Sequence, residues 1–343
     1  MKALVCNPYW DTLGGGERYT AAFIALLLAR GWQVHVAWPT DISASVSSRF
    51  GIRLTQSEFG HQFSSLTSAN YDLLFWVSDG SLPASLAKRT LIHFQFPFTA
   101  VGGRTPLNFI KSRRYSFISN SRFTKSFIDS EFAVTSQVIY PPVTTSAFHS
   151  MQKSRLILYV GRFSHLTQAK NPHLLIDAFR QFHSQQPGWK LVLAGGAGVG
   201  TDQHVLADLQ SRCQGLPVSI ITNPTLAQLK KLYGTATFFW SAVGLGVDER
   251  HAPLKVEHFG ITPVEAMAAG CIPILPALGG HKEIVDSGQN GYLYNSLDQL
   301  SDITLNIIGR PAEAKRLAQA AIHQSKLFDV HQFNVNFSQL LAL

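Results

Sequence analysis

Charge is scarce in this chain. Asp, Glu, Lys and Arg make up 15% of its 343 residues, which leaves much neutral surface. No apolar run approaches the length of a membrane span, and the start, with Lys2 before a short apolar strand, does not read as a signal peptide. There are only three cysteines, Cys6, Cys213 and Cys271. They lie far apart and have no metal-ligand spacing, so free thiols in a reducing compartment fit best. The glycine pattern is not GxGxxG and no Walker lysine follows it, which weakens NAD and ATP readings. No DxD pair, nucleic-acid module, short internal repeat or low-complexity segment is visible. A cytoplasmic location, with peripheral contact at a membrane face, is the expectation.

What is present is apolar residues and a basic excess. Apolar types reach 45% and the formal net charge is +8. The excess sits in residues 1–150, with 13 basic against 8 acidic side chains, while the remainder has 16 against 13. An anionic partner follows: phosphates, nucleic acid or an anionic membrane surface. The length predicts two domains. Strand and helix patterns alternate along both halves, so each half reads as a doubly wound parallel α/β sheet. Strands are expected at 2–6, 33–38, 72–77, 90–94 and 138–143, then at 156–161, 190–194, 218–222, 237–240, 272–275 and 291–294. The polar stretch after Pro141 and Pro142 sets a boundary, giving domains at 1–145 and 146–329.

One stretch organises the rest, VEHFGITPVEAMAAG from Val256 to Gly270. Thr262 reads as an N-cap, Pro263 as a first-turn proline and Gly270 as the residue that ends the helix. That places Glu265 in the first helical turn and Glu257 on the preceding loop. The amides of Gly260, Ile261 and Thr262 gather at a helix N-terminus, whose unsatisfied donors and partial positive charge suit a phosphate. The bland alternative is an amphipathic helix with solvated acids. Gly14-Gly15-Gly16 opens an earlier helix at 17–30, where glycine lets backbone approach a ligand closely, unless it is only a flexible turn. His93 ends a strand, where α/β sheets bind ligands, although a lone histidine in an apolar stretch is more often a core residue. Arg104, Lys111, Arg113 and Arg114 run among Phe94, Phe96, Phe98, Phe109 and Tyr115, which suits either a lipid surface or a solvated helix face.

The spacing of Glu257 and Glu265 with Phe259-Gly260 between them resembles the signature of family 4 retaining glycosyltransferases, which have the GT-B fold. Gly14-Gly15-Gly16-Glu17, Ser119-Asn120-Ser121, Tyr140-Pro141-Pro142-Val143, Gly161-Arg162 and Lys170 follow the same family order. His258 to Gly270 with Trp240-Ser241-Ala242 is similar to the branch of GDP-mannose-dependent enzymes that extend lipid-linked oligosaccharides. The resemblance implies two Rossmann-like domains facing a central cleft, with a last helix at 330–343 returning to the first domain. It implies transfer of a sugar from a nucleotide-diphosphate sugar, GDP-mannose or a UDP-sugar, to a saccharide or lipid-linked acceptor, without a cofactor or metal. Arg162 and Lys170 would grip the diphosphate, Glu257 would face the donor sugar, Glu265 would take the ribose hydroxyls, and His93 would lie near the sugar. Gly15 and Gly16 would line the cleft, and so would the segment Gly279-Gly280-His281-Lys282-Glu283. A non-catalytic binding protein of the same architecture is the alternative. A phosphorylase would need a lysine-bound pyridoxal cofactor and a longer chain.

Overall fold

The computed structural model describes residues 1–163, 168, 170–197 and 203–342. The chain divides into two compact units, Met1–Pro142 with the C-terminal segment from Val330, and Val143–Asp329.

The first unit begins with β1 (Lys2–Cys6), α1 (Gly15–Ala29), β2 (Gln33–Val36), α2 (Ser43–Phe50), β3 (Ser57–Glu58) and α3 (Ser65–Ser68). It continues through β4 (Leu73–Val77), β5 (Arg89–Phe94), α4 (Pro106–Ser112), β6 (Tyr115–Ser119), α5 (Arg122–Phe132) and β7 (Gln137–Val138). The strands form one parallel sheet in the order β3-β2-β1-β4-β5-β6-β7. Fully buried Leu4, Leu74, Phe75, Leu91 and Ile92 make it a sheet covered on both faces. The expected strand at 138–143 stops at Val138: Pro141 and Pro142 have no N–H to give a ladder. Ser121 caps α5 as expected, its hydroxyl accepting from the Thr124 amide at 3.0 Å.

The second unit contains β8 (Ser154–Val160), α6 (Pro172–Gln185), β9 (Lys190–Gly195), α7 (Gln203–Arg212), β10 (Val218–Thr222) and α8 (Leu226–Thr235). It ends with β11 (Ala236–Trp240), α9 (Ile261–Ala268), β12 (Ile272–Pro276), α10 (His281–Ile284), β13 (Tyr292–Tyr294), α11 (Leu297–Ile308) and α12 (Pro311–Ser325). Its sheet is parallel in the order β10-β9-β8-β11-β12-β13. Tyr159, Phe179, Phe182 and Trp240 fill its core. The last helix, α13 (Val330–Leu341), belongs to the first unit. Its Phe333 and Phe337 pack on Tyr19 and Phe23 of α1 with ring centroids 5.0 and 4.6 Å apart. Burying a phenylalanine side chain contributes about 1.5–3 kcal/mol, enough to hold a terminal helix in place.

Strand order reverses between β1 and β4 in the first sheet, and between β8 and β11 in the second. Crevices at the carboxyl ends beside such reversals are where α/β sheets take ligands. Gly14 to Gly16 follow β1 and Arg162 follows β8, so the chain places these residues beside both reversals. All three cysteines are free thiols. Among the described residues no helix is long and apolar enough to cross a membrane.

Candidate active site

The carboxyl ends of β8 and β9 come unusually close. A Cβ on Gly195 would lie 1.5 Å from the carbonyl oxygen of Gly161, and one on Gly161 would lie 2.3 Å from the Tyr159 hydroxyl. Only glycine fits at either position, and the crowding fixes where the chain leaves β8. Arg162, the next residue, is half-buried, and no carboxylate pairs with it among the described residues.

Lys170 and Glu257 are 87 positions apart in sequence, yet the Lys170 ammonium donates to Glu257 Oε2 at 2.9 Å. The two side chains are only 14% and 15% exposed. Gln168 Nε2 donates to the other carboxylate oxygen at 3.3 Å. Burial opposes ionisation of Glu257, but Lys170, His281 and His258 outweigh it and hold the carboxyl at about 2. His258 and His281 are nearly or fully buried. Burial pushes each imidazole down to about 4, against the pull of Glu257. At neutral pH the cluster therefore holds one carboxylate, one ammonium and two uncharged rings.

The loop carrying Glu257 is locked from the α10 side. The Gly280 amide donates to the Glu257 carbonyl at 2.8 Å. A Cβ on Gly279 would fall 2.1 Å from that carbonyl oxygen, and one on Gly280 would fall 2.4 Å from Phe259 Cα. The diglycine lets α10 press on the backbone at Glu257, His258 and Phe259, which brings His281 into the cluster. Neither His281 ring nitrogen finds a hydrogen-bond partner among the described residues. His258 and His281 lay in segments that carried the family resemblance, but neither was singled out for a role at the site.

Two readings of the central helix need correction. The N-cap of α9 is Gly260, not Thr262. Gly260 has φ +113, a left-handed conformation that glycine adopts without cost. Ile261 and Thr262 are then the first two helical residues, and their amides have no carbonyl one turn back. Glu265 consequently lies in the second turn rather than the first. It is 8% exposed, and the Tyr233 hydroxyl donates to its Oε2 at 3.0 Å. Phe259 is also buried, with its ring 5.3 Å from that of Phe328. Gly270, with φ +73, follows the helix end as expected.

In the first unit, Gly15 and Gly16 are the first residues of α1. Glu17 is 3% exposed and fixes the loop from below: Gly14 N and Thr12 Oγ1 donate to its Oε2 at 2.7 and 2.6 Å. The side-chain amide of Gln95 crosses over Gly16, where a Cβ would fall 1.3 Å from Gln95 Oε1. His93 lies in the interior of the first unit. Its ring is fully buried, stacked on Tyr19 at 3.8 Å, and burial drives its pKa down to about 3. The structure favours the core reading for this residue.

The sequence matches the family model described as "Glycosyl transferases group 1" over residues 146–324. Among curated proteins, it is 32% identical over 151 residues to the GDP-mannose:cellobiosyl-diphosphopolyprenol alpha-mannosyltransferase of Komagataeibacter xylinus, a match covering 43% of this chain and 34% of that protein. It is 28% identical over 219 residues to the GDP-Man:Man(3)GlcNAc(2)-PP-Dol alpha-1,2-mannosyltransferase of Xenopus laevis, covering 58% of this chain and 42% of the other. The matches thus span about a third to less than half of these two relatives. Anabaena Alr3699/HepE in complex with UDP superposes over 100% of both chains with TM-score 0.76 at 17% identity. Sucrose-phosphate synthase from Thermosynechococcus elongatus superposes over 100% of this chain and 98% of its own with TM-score 0.71 at 16% identity. These likenesses establish the GT-B fold. Because the family model spans more than half of the sequence, the chain belongs to the glycosyl transferases group 1 family.

Proposed function

We propose that the chain is a retaining hexosyltransferase that moves mannose from GDP-mannose to a saccharide or lipid-linked acceptor. The observation that carries this reading is the largely buried Lys170–Glu257 pair, with Glu257 on the loop that leads into α9. Transfer breaks the bond between the sugar C1 and the diphosphate oxygen, forms a bond from C1 to the acceptor oxygen, and moves the acceptor proton to the departing side. Negative charge grows on the diphosphate as positive charge grows on the sugar. Fixed cations lower the first cost and a fixed carboxylate lowers the second. Arg162 offers a fork to phosphate oxygens and Lys170 a point charge. The amides of Ile261 and Thr262 add donors, and Glu257 faces the sugar. Glu265 takes the ribose hydroxyls, in exchange for or alongside Tyr233. Gly15 and Gly16 open α1 of the first unit, the unit that receives the acceptor. With these cations serving the leaving group, transfer proceeds in the presence of a chelator.

The mannose donor is favoured because the two curated relatives are named as GDP-mannose enzymes. The lipid-linked acceptor fits the surface of α4. Leu107, Phe109 and Ile110 are 61%, 54% and 63% exposed, and the helix buries no residue. Arg113 lies over the Phe109 ring at 4.7 Å, and Arg113 and Arg114 are both exposed. Arg104 and Lys111 instead donate to the carbonyls of Ser130 and Leu82, so half of the basic run anchors the loop.

The test is transfer from GDP-mannose, UDP-glucose and ADP-glucose to a diphosphopolyprenol-linked saccharide, with the product anomer read by NMR. An α-mannoside formed from GDP-mannose supports the reading. Turnover of UDP-glucose alone would correct the donor, and nucleotide binding without turnover of any donor would favour the non-catalytic alternative.

A further inference from the structure

His35 lies on β2, one strand in from the sheet edge, and Glu58 is its registered neighbour on the edge strand β3. Registered neighbours on parallel strands project to the same face. The chain then turns at Gly60, whose φ of +86 suits glycine, and the Gly60 amide donates to the Trp38 carbonyl at 2.8 Å. That turn returns His61 over His35, with ring centroids 3.7 Å apart. Both Nε2 atoms face one carboxylate oxygen: His35 Nε2 is 3.4 Å and His61 Nε2 3.8 Å from Glu58 Oε2.

Glu58 and His35 are oriented from behind. Gln33 Nε2 donates to Glu58 Oε1 at 2.9 Å, leaving Oε2 to the histidines. His35 Nδ1 lies 3.0 Å from the Tyr71 hydroxyl. In the tautomer whose Nδ1–H donates to Tyr71, Nε2 carries a lone pair turned toward Glu58. His35 is 5% exposed, and its Nε2 has no hydrogen-bond partner among the described residues. A buried, oriented and unpartnered imidazole nitrogen is what a metal ligand requires. Lys2 adds positive charge beside the cluster, its ammonium over the Tyr71 ring at 5.2 Å.

We infer that His35, Glu58 and His61 bind one divalent transition-metal ion, best matched by zinc. Two imidazoles and one carboxylate suit zinc, with water as the fourth ligand. Bonds of about 2.0–2.1 Å in a tetrahedron set ligand atoms ~3.4 Å apart. The two contacts with Glu58 already approach that value, and all three ligand atoms lie within 4.8 Å of one another. Coordination parts the stacked rings to about 5 Å, and His61, on the loop after β3, makes that movement. The ion clips the two-residue edge strand to the body of the sheet. Neither the site nor this role depends on the sugar-transfer reading, since no residue is shared with it.

Chelator-stripped full-length protein is titrated with Zn²⁺ by calorimetry, and with Co²⁺ by visible absorption. The wild type takes up one ion with an intense tetrahedral Co²⁺ spectrum, and its melting temperature rises with zinc. Glu58→Gln and His61→Ala act on residues that are not buried, so the apo fold is retained; each loses the spectrum and at least tenfold in affinity. Tyr71→Phe weakens binding about tenfold through orientation alone. Absence of uptake at micromolar zinc overturns the site. So does uptake that Glu58→Gln and His61→Ala leave unchanged, which would assign the ion to other histidines.

Discussion

At the scale of single residues, Lys170 and Glu257 are judged against the cost of separating them. Removing one partner of a pair this enclosed leaves a charge without compensation. Lys170→Met should cost on the order of 2–4 kcal/mol, since the pair keeps a little solvent contact. It should also move the Glu257 carboxyl up from about 2 and abolish transfer. A melting curve and a carboxyl NMR titration check this; an unmoved Glu257 would deny the coupling. His93 makes the opposite prediction. Its folded-state pKa of about 3 lies below the ordinary 6.5, so the unfolded chain takes up the proton first. Its proton linkage therefore costs nothing above pH 6.5 and destabilises increasingly as pH falls toward 3. His93→Phe keeps the stack on Tyr19 and removes two buried ring nitrogens that have no partner among the described residues. Stability at pH 7 should be no lower, and the loss between pH 6 and 4 should shrink by up to about 1.4 kcal/mol per unit. Denaturant titrations at several pH values decide it, and loss of transfer in a stable His93→Phe would return this residue to the site.

At the scale of elements, α9 shows what the sequence could and could not reveal. Its existence and its end at Gly270 were legible from the Glu265-Ala266-Met267-Ala268-Ala269 run and the closing glycine. Its start was not. Thr-Pro is an ordinary cap-and-first-residue pair, while a glycine with positive φ usually follows a helix rather than precedes one. The two-residue strand β3 was invisible, because Ser57 and Glu58 favour strands weakly and the edge position asks for little. The resemblance put Lys170 and Glu257 at one site, but the direct ion pair between them and the burial of His281 beside it were hidden, since the latter depends on backbone contacts that only glycine allows. Gly280→Ala tests those contacts: it should cost about 1–3 kcal/mol and weaken nucleotide binding together. Unchanged melting and binding would show that the loop yields easily. For α4, replacing Leu107 and Ile110 with Asp should abolish sedimentation with anionic vesicles and leave neutral ones at background. Each basic residue near such a surface contributes about 1 kcal/mol, falling with salt. Equal sedimentation with neutral vesicles would argue against a lipid-facing helix.

At the scale of the whole molecule, alternation of strand and helix foretold two parallel sheets, and the family resemblance named their fold; both match the structure and its solved neighbours. Each sheet places its conspicuous loop beside its own strand reversal, a relation that local pattern cannot show but topology can. The central claim is that a nucleoside diphosphate is held by Arg162 and the residues around Lys170 and Glu257. Arg162 is the sharpest probe because it is half-buried and has no carboxylate partner among the described residues, so its loss should leave the fold intact. The direct measurement is calorimetric titration of wild-type protein and Arg162→Ala with GDP and GDP-mannose, alongside melting curves and single-turnover transfer. The account predicts one nucleotide site per chain, at least tenfold weaker binding and about hundredfold slower transfer in the variant, and an unchanged melting temperature. Equal nucleotide affinity and transfer rate in a normally folded Arg162→Ala would contradict it.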